Sequence, residues 1–129
     1  MRVSTFLMFQ GEAEAWLDQA VAAIPGSSIT SISRYGVEGP GAEGSVSASA
    51  ALIGGHAVRC YDSSLGHDFT FTPSVSLFVD LGSVDQHATV HGLLVEGGTM
   101  LMPPGDYGFS RWFSWIQDRF GVSWQLNVP

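Results

Sequence analysis

Apolar and polar positions alternate in short stretches along most of the chain, and twice the alternation gives way to a helical period. Val3 to Phe9 reads as a strand closed by Gly11. The spacing then changes to threes and fours. Ala13, Trp16, Leu17, Ala20, Val21 and Ile24 share one side of a helix predicted over about residues 12–24. Glu12 and Glu14 suit its positive end, and Pro25-Gly26 stops it. A strand from about Ser28 to Tyr35 follows, then a glycine-rich loop over residues 36–44. Next, Val46, Ala48, Ala50 and Leu52 alternate with Ser45, Ser47 and Ser49, which predicts a half-buried strand with its apolar face on the even positions. Gly54-Gly55 turns the chain into a fourth strand, His56 to Tyr61.

The second half repeats this order. Val75, Leu77 and Val79 alternate with Ser74, Ser76, Phe78 and Asp80 as a strand. Ser83 caps a helix, with Gln86 three residues on as its reciprocal partner, and Gly97-Gly98 ends it. His91 falls on a stripe with Val84, Ala88 and Val95, the face expected to be buried. Strands are predicted around Thr99–Met102, Ser110–Gln117 and Val122–Val128. In the last, Val122, Trp124, Leu126 and Val128 point one way and Ser123, Gln125 and Asn127 the other. The fold class is α+β: two βαβββ modules, at about residues 1–64 and 70–129, within one domain of residues 1–129. Each helix covers one face of its sheet, and the other faces are expected to line a cup.

Composition narrows the function classes. Twelve acids stand against five bases, a net charge of -7, and every base is arginine. No cationic stripe exists to displace counterions from nucleic acid or to hold an acidic membrane surface. Without lysine, no side-chain amine is available for Schiff-base chemistry. Cys60 is the single cysteine, so neither an intrachain disulfide nor a cysteine-based zinc site is expected. The apolar run Phe6–Phe9 is too short for a signal core or a membrane span, which makes the cytoplasm the expected compartment. The loop 36–44 has no P-loop lysine or Ser/Thr, carries two glutamates and joins two strands; it reads as a hairpin connection.

Several blocks together resemble a known family. Phe6-Leu7-Met8-Phe9 before Gly11, Ile32-Ser33-Arg34-Tyr35-Gly36, Phe71-Thr72-Pro73 entering a strand, and above all Asp118-Arg119-Phe120-Gly121-Val122-Ser123-Trp124-Gln125 are similar to the PhnB-like branch of the glyoxalase/vicinal-oxygen-chelate superfamily. The likeness spans nearly the whole chain, and the last block is its most specific part. It implies two βαβββ modules that build a cup, usually within a dimer. Members of the superfamily include metal-dependent lyases, isomerases, dioxygenases and antibiotic-binding proteins. PhnB-like proteins are often labelled 3-demethylubiquinone methyltransferases. The glycine-rich turn that holds an adenosyl group in a doubly wound sheet is missing, since the first strand ends in Gly11 alone.

The resemblance also implies where a metal would sit: on the first and last strand of each module. Strand order puts Thr5, roughly Val58, Ser74 and Gln125 there, and of these only Gln125 ligates well. One neutral amide does not hold a divalent ion, so no metal and no cofactor are expected. His87 and His91 stand at i and i+4 as in a zinc protease helix, but Ala88 occupies the place of its glutamate base. His56 and His67 have no second ligand at suitable spacing. His56 and Cys60 share a strand face at roughly 13 Å, too far for a nucleophile and its base.

These readings combine into a metal-free cup for an unidentified small organic molecule, at or near the interface of a homodimer. Thr5, Ser74 and Gln125 are the candidates to orient the ligand, and Phe9, Phe78, Trp112 and Trp115 the candidates for its walls. Two alternatives remain open: an enzyme that assembles a metal or uses an acid such as Asp80 or Asp62, and a mainly dimerising module with a vestigial cup.

Overall fold

The computed structural model describes residues 1–129, which form two compact units, Met1–Asp68 and Phe69–Pro129. Each unit holds one βαβββ module built on a four-stranded mixed sheet.

The first module runs β1 (Thr5–Phe9), α1 (Ala13–Ala23), β2 (Ser28–Arg34), β3 (Val46–Ile53) and β4 (His56–Asp62). Its strand order is β1-β4-β3-β2, with β1 parallel to β4 and the other pairs antiparallel. Helix α1 buries Ala13, Trp16, Leu17 and Ala20 of the predicted stripe together with Ala23; Val21 is half-buried, and Ile24 is buried just past the helix end. Glu12 makes no side-chain cap. The task falls to Asp62 at the end of β4. Its Oδ1 accepts from the amides of Gly11 (2.8 Å) and Ala13 (3.0 Å), and its Oδ2 from the amide of Val46 (2.9 Å). One buried carboxylate thus joins the start of the helix to two strands.

In β3 the structure corrects the predicted facing. Val46 is buried, but further along the buried positions are Ser49, Ala51 and Ile53, whereas Ala48 and Leu52 are exposed. The cause is a register shift against β2: Ser33 pairs with Ala48 and Arg34 with Val46, so Ser47 is an extra residue. A bulge of this kind reverses the parity of everything beyond it.

The second module runs β5 (Ser76–Asp80), α2 (Val84–Val95), β6 (Thr99–Gly105), β7 (Trp112–Gln117) and β8 (Ser123–Val128), in the order β5-β8-β7-β6. Strand β5 is parallel to β8. The predicted cap is present. Ser83 Oγ accepts from the Gln86 amide at 3.1 Å, and Gln86 Oε1 accepts in return from the Gly82 amide at 2.8 Å. Beyond α2 the chain passes Gly97, at φ +74°, and Gly98, where a side chain would run into the backbone carbonyl of Gln117.

The buried stripe of α2 differs from the predicted one. His87, Val90 and Leu94 are buried, while Val84 and Ala88 are exposed. A histidine supplies the packing that an apolar count assigns to its neighbours. His87 Nε2 lies 2.9 Å from Ser114 Oγ on β7, and His91 Nδ1 lies 2.9 Å from the same oxygen. Strand β8 faces as expected: Trp124, Leu126 and Val128 are wholly buried on the side of α2. Asp118 fixes the turn before it, with Oδ1 accepting from the amides of Phe120 and Val122, and Oδ2 accepting from Trp124 Nε1 at 2.9 Å. No helix is long and apolar enough to cross a membrane.

Candidate functional site

Each sheet has one face beneath its helix and one face without a helix, and the register says which side chains stand where. In the second module, parallel pairing sets Ser76 beside Ser123, Phe78 beside Gln125 and Asp80 beside Asn127. Strand β7 adds Gln117, Trp115 and Phe113 beside the same three β8 residues. All nine lie on the face away from α2, because Trp124, Leu126 and Ser114 occupy the other.

A short polar chain organises this face. Trp115 Nε1 donates to Ser123 Oγ at 2.8 Å, and the hydroxyls of Ser123 and Ser76 are 2.7 Å apart. Gln125 Nε2 donates to Ser76 Oγ at 3.2 Å. Two hydroxyl protons are available and one is spent between the serines. Ser123 is buried and Ser76 half-buried, so the arrangement with the spare proton on Ser76 is the one open to a ligand. Gln125 Oε1 is a further acceptor. Donor and acceptor groups thus share the helix-free face with Phe78, which is in register with Gln125.

Aromatic rings border them. Phe78 packs on the buried Phe113 at 6.4 Å between centroids, and Phe109 meets Phe113 edge-on at 4.9 Å. Asn127 Nδ2 donates to Asp80 Oδ1 at 2.9 Å, which leaves Asn127 Oδ1 buried without a partner.

The structure brings three of the predicted residues together here: Gln125, Phe78 and Trp115. Trp112 stands on the opposite face, in register with Val128. Ser74 lies in the exposed turn ahead of β5, 3.3 Å from Thr72 Oγ1, and Ser76 takes the place beside Gln125. In the first module Thr5 and Phe9 are in register with the buried Val58 and Asp62, on the side of α1. Thr5 Oγ1 is 2.8 Å from His56 Nε2, and Phe9 packs on Trp16 at 5.7 Å. The helix-free face of β1 carries Phe6 and Met8 instead. Counting parity back from Asp62, once its capping role is known, finds them.

The donor set does not suit the metal that the superfamily's chelating members use. No three His, Cys, Asp or Glu side chains converge. Val58 has no ligating side-chain atom, and His87 Nε2 and His91 Nδ1 both lie against Ser114 with no carboxylate or thiolate beside them to complete a set of three. Asp62, one of the acids considered for catalysis, is buried with its oxygens engaged by three amides. Cys60 Sγ lies 3.2 Å from Ser49 Oγ, and burial pushes its thiol up to about 11, the range of an unreactive sulfur.

Comparison with known proteins adds the lineage. The family described as 3-demethylubiquinone-9 3-methyltransferase matches residues 1–127. A PhnB protein from Bacillus cereus, described as a 3-demethylubiquinone-9 3-methyltransferase, is 42% identical with a TM-score of 0.97 over 100% of both chains. A glyoxylase/bleomycin resistance protein/dioxygenase domain from Frankia is 12% identical, with a TM-score of 0.66 over 99% of this chain and 91% of that one. The fosfomycin resistance protein FosX from Listeria monocytogenes, complexed with Mn(II) and sulfate, is 12% identical, with a TM-score of 0.63 over 100% and 92%. The last two share the fold alone. No curated protein matches the chain.

Proposed function

The chain belongs to the family described as 3-demethylubiquinone-9 3-methyltransferase, the PhnB-like branch of the vicinal-oxygen-chelate fold, and we propose that it binds a small organic molecule without a metal. One observation carries this reading: Gln125, held by Ser76 through its Nε2, stands in register beside the exposed Phe78 on the helix-free face, with its carboxamide oxygen as a further acceptor. A ligand with an N–H or O–H donor beside an apolar surface suits that pair, and Ser76 offers it a proton in exchange. Trp115 serves by orientation, through Ser123. For Thr5, Phe9, Ser74 and Trp112 the helix-side or turn placement favours a supporting role over ligand contact.

A methyl-transfer role draws no support from the modules. In a doubly wound sheet the amides after the first strand cradle the cofactor's phosphates or lie beside its adenosyl group. Here the amides of Gly11 and Ala13 are spent on Asp62.

We also place the protein in the cytoplasm as a homodimer. The helix-free faces expose large apolar groups, Phe6 at 58% and Phe78 at 56%, and charged residues are only 13% of the chain. A second copy that borders these faces, with the ligand positions left open at the seam, answers both.

The test is a melting-temperature panel of small metabolites on wild type and Gln125→Ala, with elemental analysis of protein purified without chelator. A ligand that raises the melting temperature only when Gln125 is present is the expected result. Binding indifferent to Gln125, or near one zinc, nickel, iron or manganese per chain lost with Gln125, overturns the reading.

A further inference from the structure

On the first module the face without a helix carries a second feature. Small side chains on β3 and β4, Ala50 and Ala57 among them, leave a concavity of about 550 Å³ in the sheet surface. That volume lies within the range of small-molecule sites, about 300–1,000 Å³. Leu52 adds to its apolar lining, and Arg2, Ser4, Thr30 and Arg59 supply the polar part.

The arginines give it a sign. The chain has five, against twelve acids. Arg34 is spent on Glu14 in a two-pronged pair at 2.6 Å. Arg111 donates to the Pro129 carbonyl, and Arg119 lies over the ring of Phe120. Arg2 and Arg59 are exposed, with no carboxylate partner, and they border the same concavity although 57 residues separate them in the chain. The register accounts for Arg59: β1 and β4 are parallel neighbours, so Phe6 pairs with Arg59, and Arg2 reaches the same concavity from the segment that leads into β1. Phe6 holds Arg59 by its ring, 5.8 Å from the guanidinium carbon. Stacking steadies the plane of a guanidinium and leaves its N–H edge for an oxyanion.

We infer that this concavity binds a small organic oxyanion, with a carboxylate or phosphoryl head on Arg2 and Arg59 and an apolar body on Ala50, Leu52 and Ala57. In a chain of net charge -7 an anion meets a repulsive field except where unpaired cations gather, so the arginine pair selects both sign and place. The inference shares with the proposed function the premise that the chain binds small molecules, and it assigns a ligand class to the other module.

Calorimetry of the full chain with octanoate, benzoate and phenyl phosphate, and with benzamide as the neutral control, tests it. At least one anion is expected to bind, and benzamide at least tenfold more weakly. Arg59→Gln and Arg2→Gln, both at exposed positions, are expected to weaken the anion about tenfold each, while Gln125→Ala leaves it unchanged. Raising the salt from about 0.01 to 0.1 M, which shortens the screening length from about 30 to 10 Å, weakens it as well. Phe6→Leu is expected to weaken the anion less than Arg59→Gln. Failure of all three anions, equal binding of benzamide, or arginine variants that bind like wild type overturns the inference. A Gln125-dependent neutral ligand found alongside such a failure would leave the module-two reading standing.

Discussion

Ser114 Oγ stands 2.9 Å from His87 Nε2, so a hydroxyl on β7 and an imidazole on α2 tie helix to sheet where neither meets water. His91 reaches the same oxygen from one turn further along, with its ring stacked on that of His87 at 5.7 Å. Burial holds His87 below the ordinary histidine value, with its neighbour His91 adding to the effect, and burial alone lowers His91.

The sign of the pH dependence follows. Both native values lie below the unfolded one, near 6.5. As pH falls through that value the unfolded chain takes up protons that the native module refuses, and stability drops. Above it both states are neutral and the term vanishes. The melting temperature is therefore expected to fall between about pH 7.5 and 5.5, and His87→Gln to flatten the slope. Calorimetric scans across that range decide it; equal slopes in both proteins would remove the histidine pair as the cause.

Two carboxylates act as brackets. Asp62 and Asp118 each accept three hydrogen bonds from groups inside their own module. Alanine at either position strands buried donors, at a cost of about 3 kcal/mol or more. Asparagine keeps an acceptor and is expected to cost less. Urea denaturation of the four variants measures the difference.

Trp124 and Gln125 are neighbours on β8 with opposite duties. Trp124→Ala is expected to cost about 3–5 kcal/mol, because a wholly buried ring and its bond to Asp118 are lost. Gln125→Ala is expected to cost under about 1 kcal/mol and to remove ligand binding. Denaturation midpoints with the reverse order would mean that the two faces of β8 are exchanged.

The dimer has a direct check. Light scattering at micromolar concentration is expected to give about twice 13.8 kDa, with an interface above about 2,000 Å² in all. Phe78→Asp, which places a charge on an exposed aromatic of the helix-free face, is expected to shift it toward the monomer.

Most of the fold was legible because its signals are local. The strand-helix-three-strand order, the Ser83 cap and the facing of β8 each follow from a few adjacent residues. The misses share a different origin. The extra residue at Ser47 reverses the parity of β3, and a bulge has no signature in an alternating serine-alanine run. His87 is buried with its Nε2 on Ser114, distant in sequence, so ranking by polarity leaves it outside. Thr5 and Phe9 stand one position from the helix-free face, a parity that only the register with β4 reveals. Ser74 lies two residues ahead of β5, whose start is set by its pairing with β8. Arg2 and Arg59 meet only through a parallel pairing, beyond the reach of a motif.

That pairing also orders the folding of the chain. In both modules the first strand lies against the last, β1 beside β4 and β5 beside β8, so β1 and β5 have no partner until the last strand of their module is in place. Each module closes a loop of about 50 residues before its sheet is whole, an entropic toll that grows only slowly with length but precedes the contacts that offset it. The hairpin of β3 and β4, and that of β7 and β8, need no such wait. They are the natural nuclei, with β1 and β5 added late. Substitutions in β1 or β5 should then speed unfolding and leave refolding rates nearly unchanged.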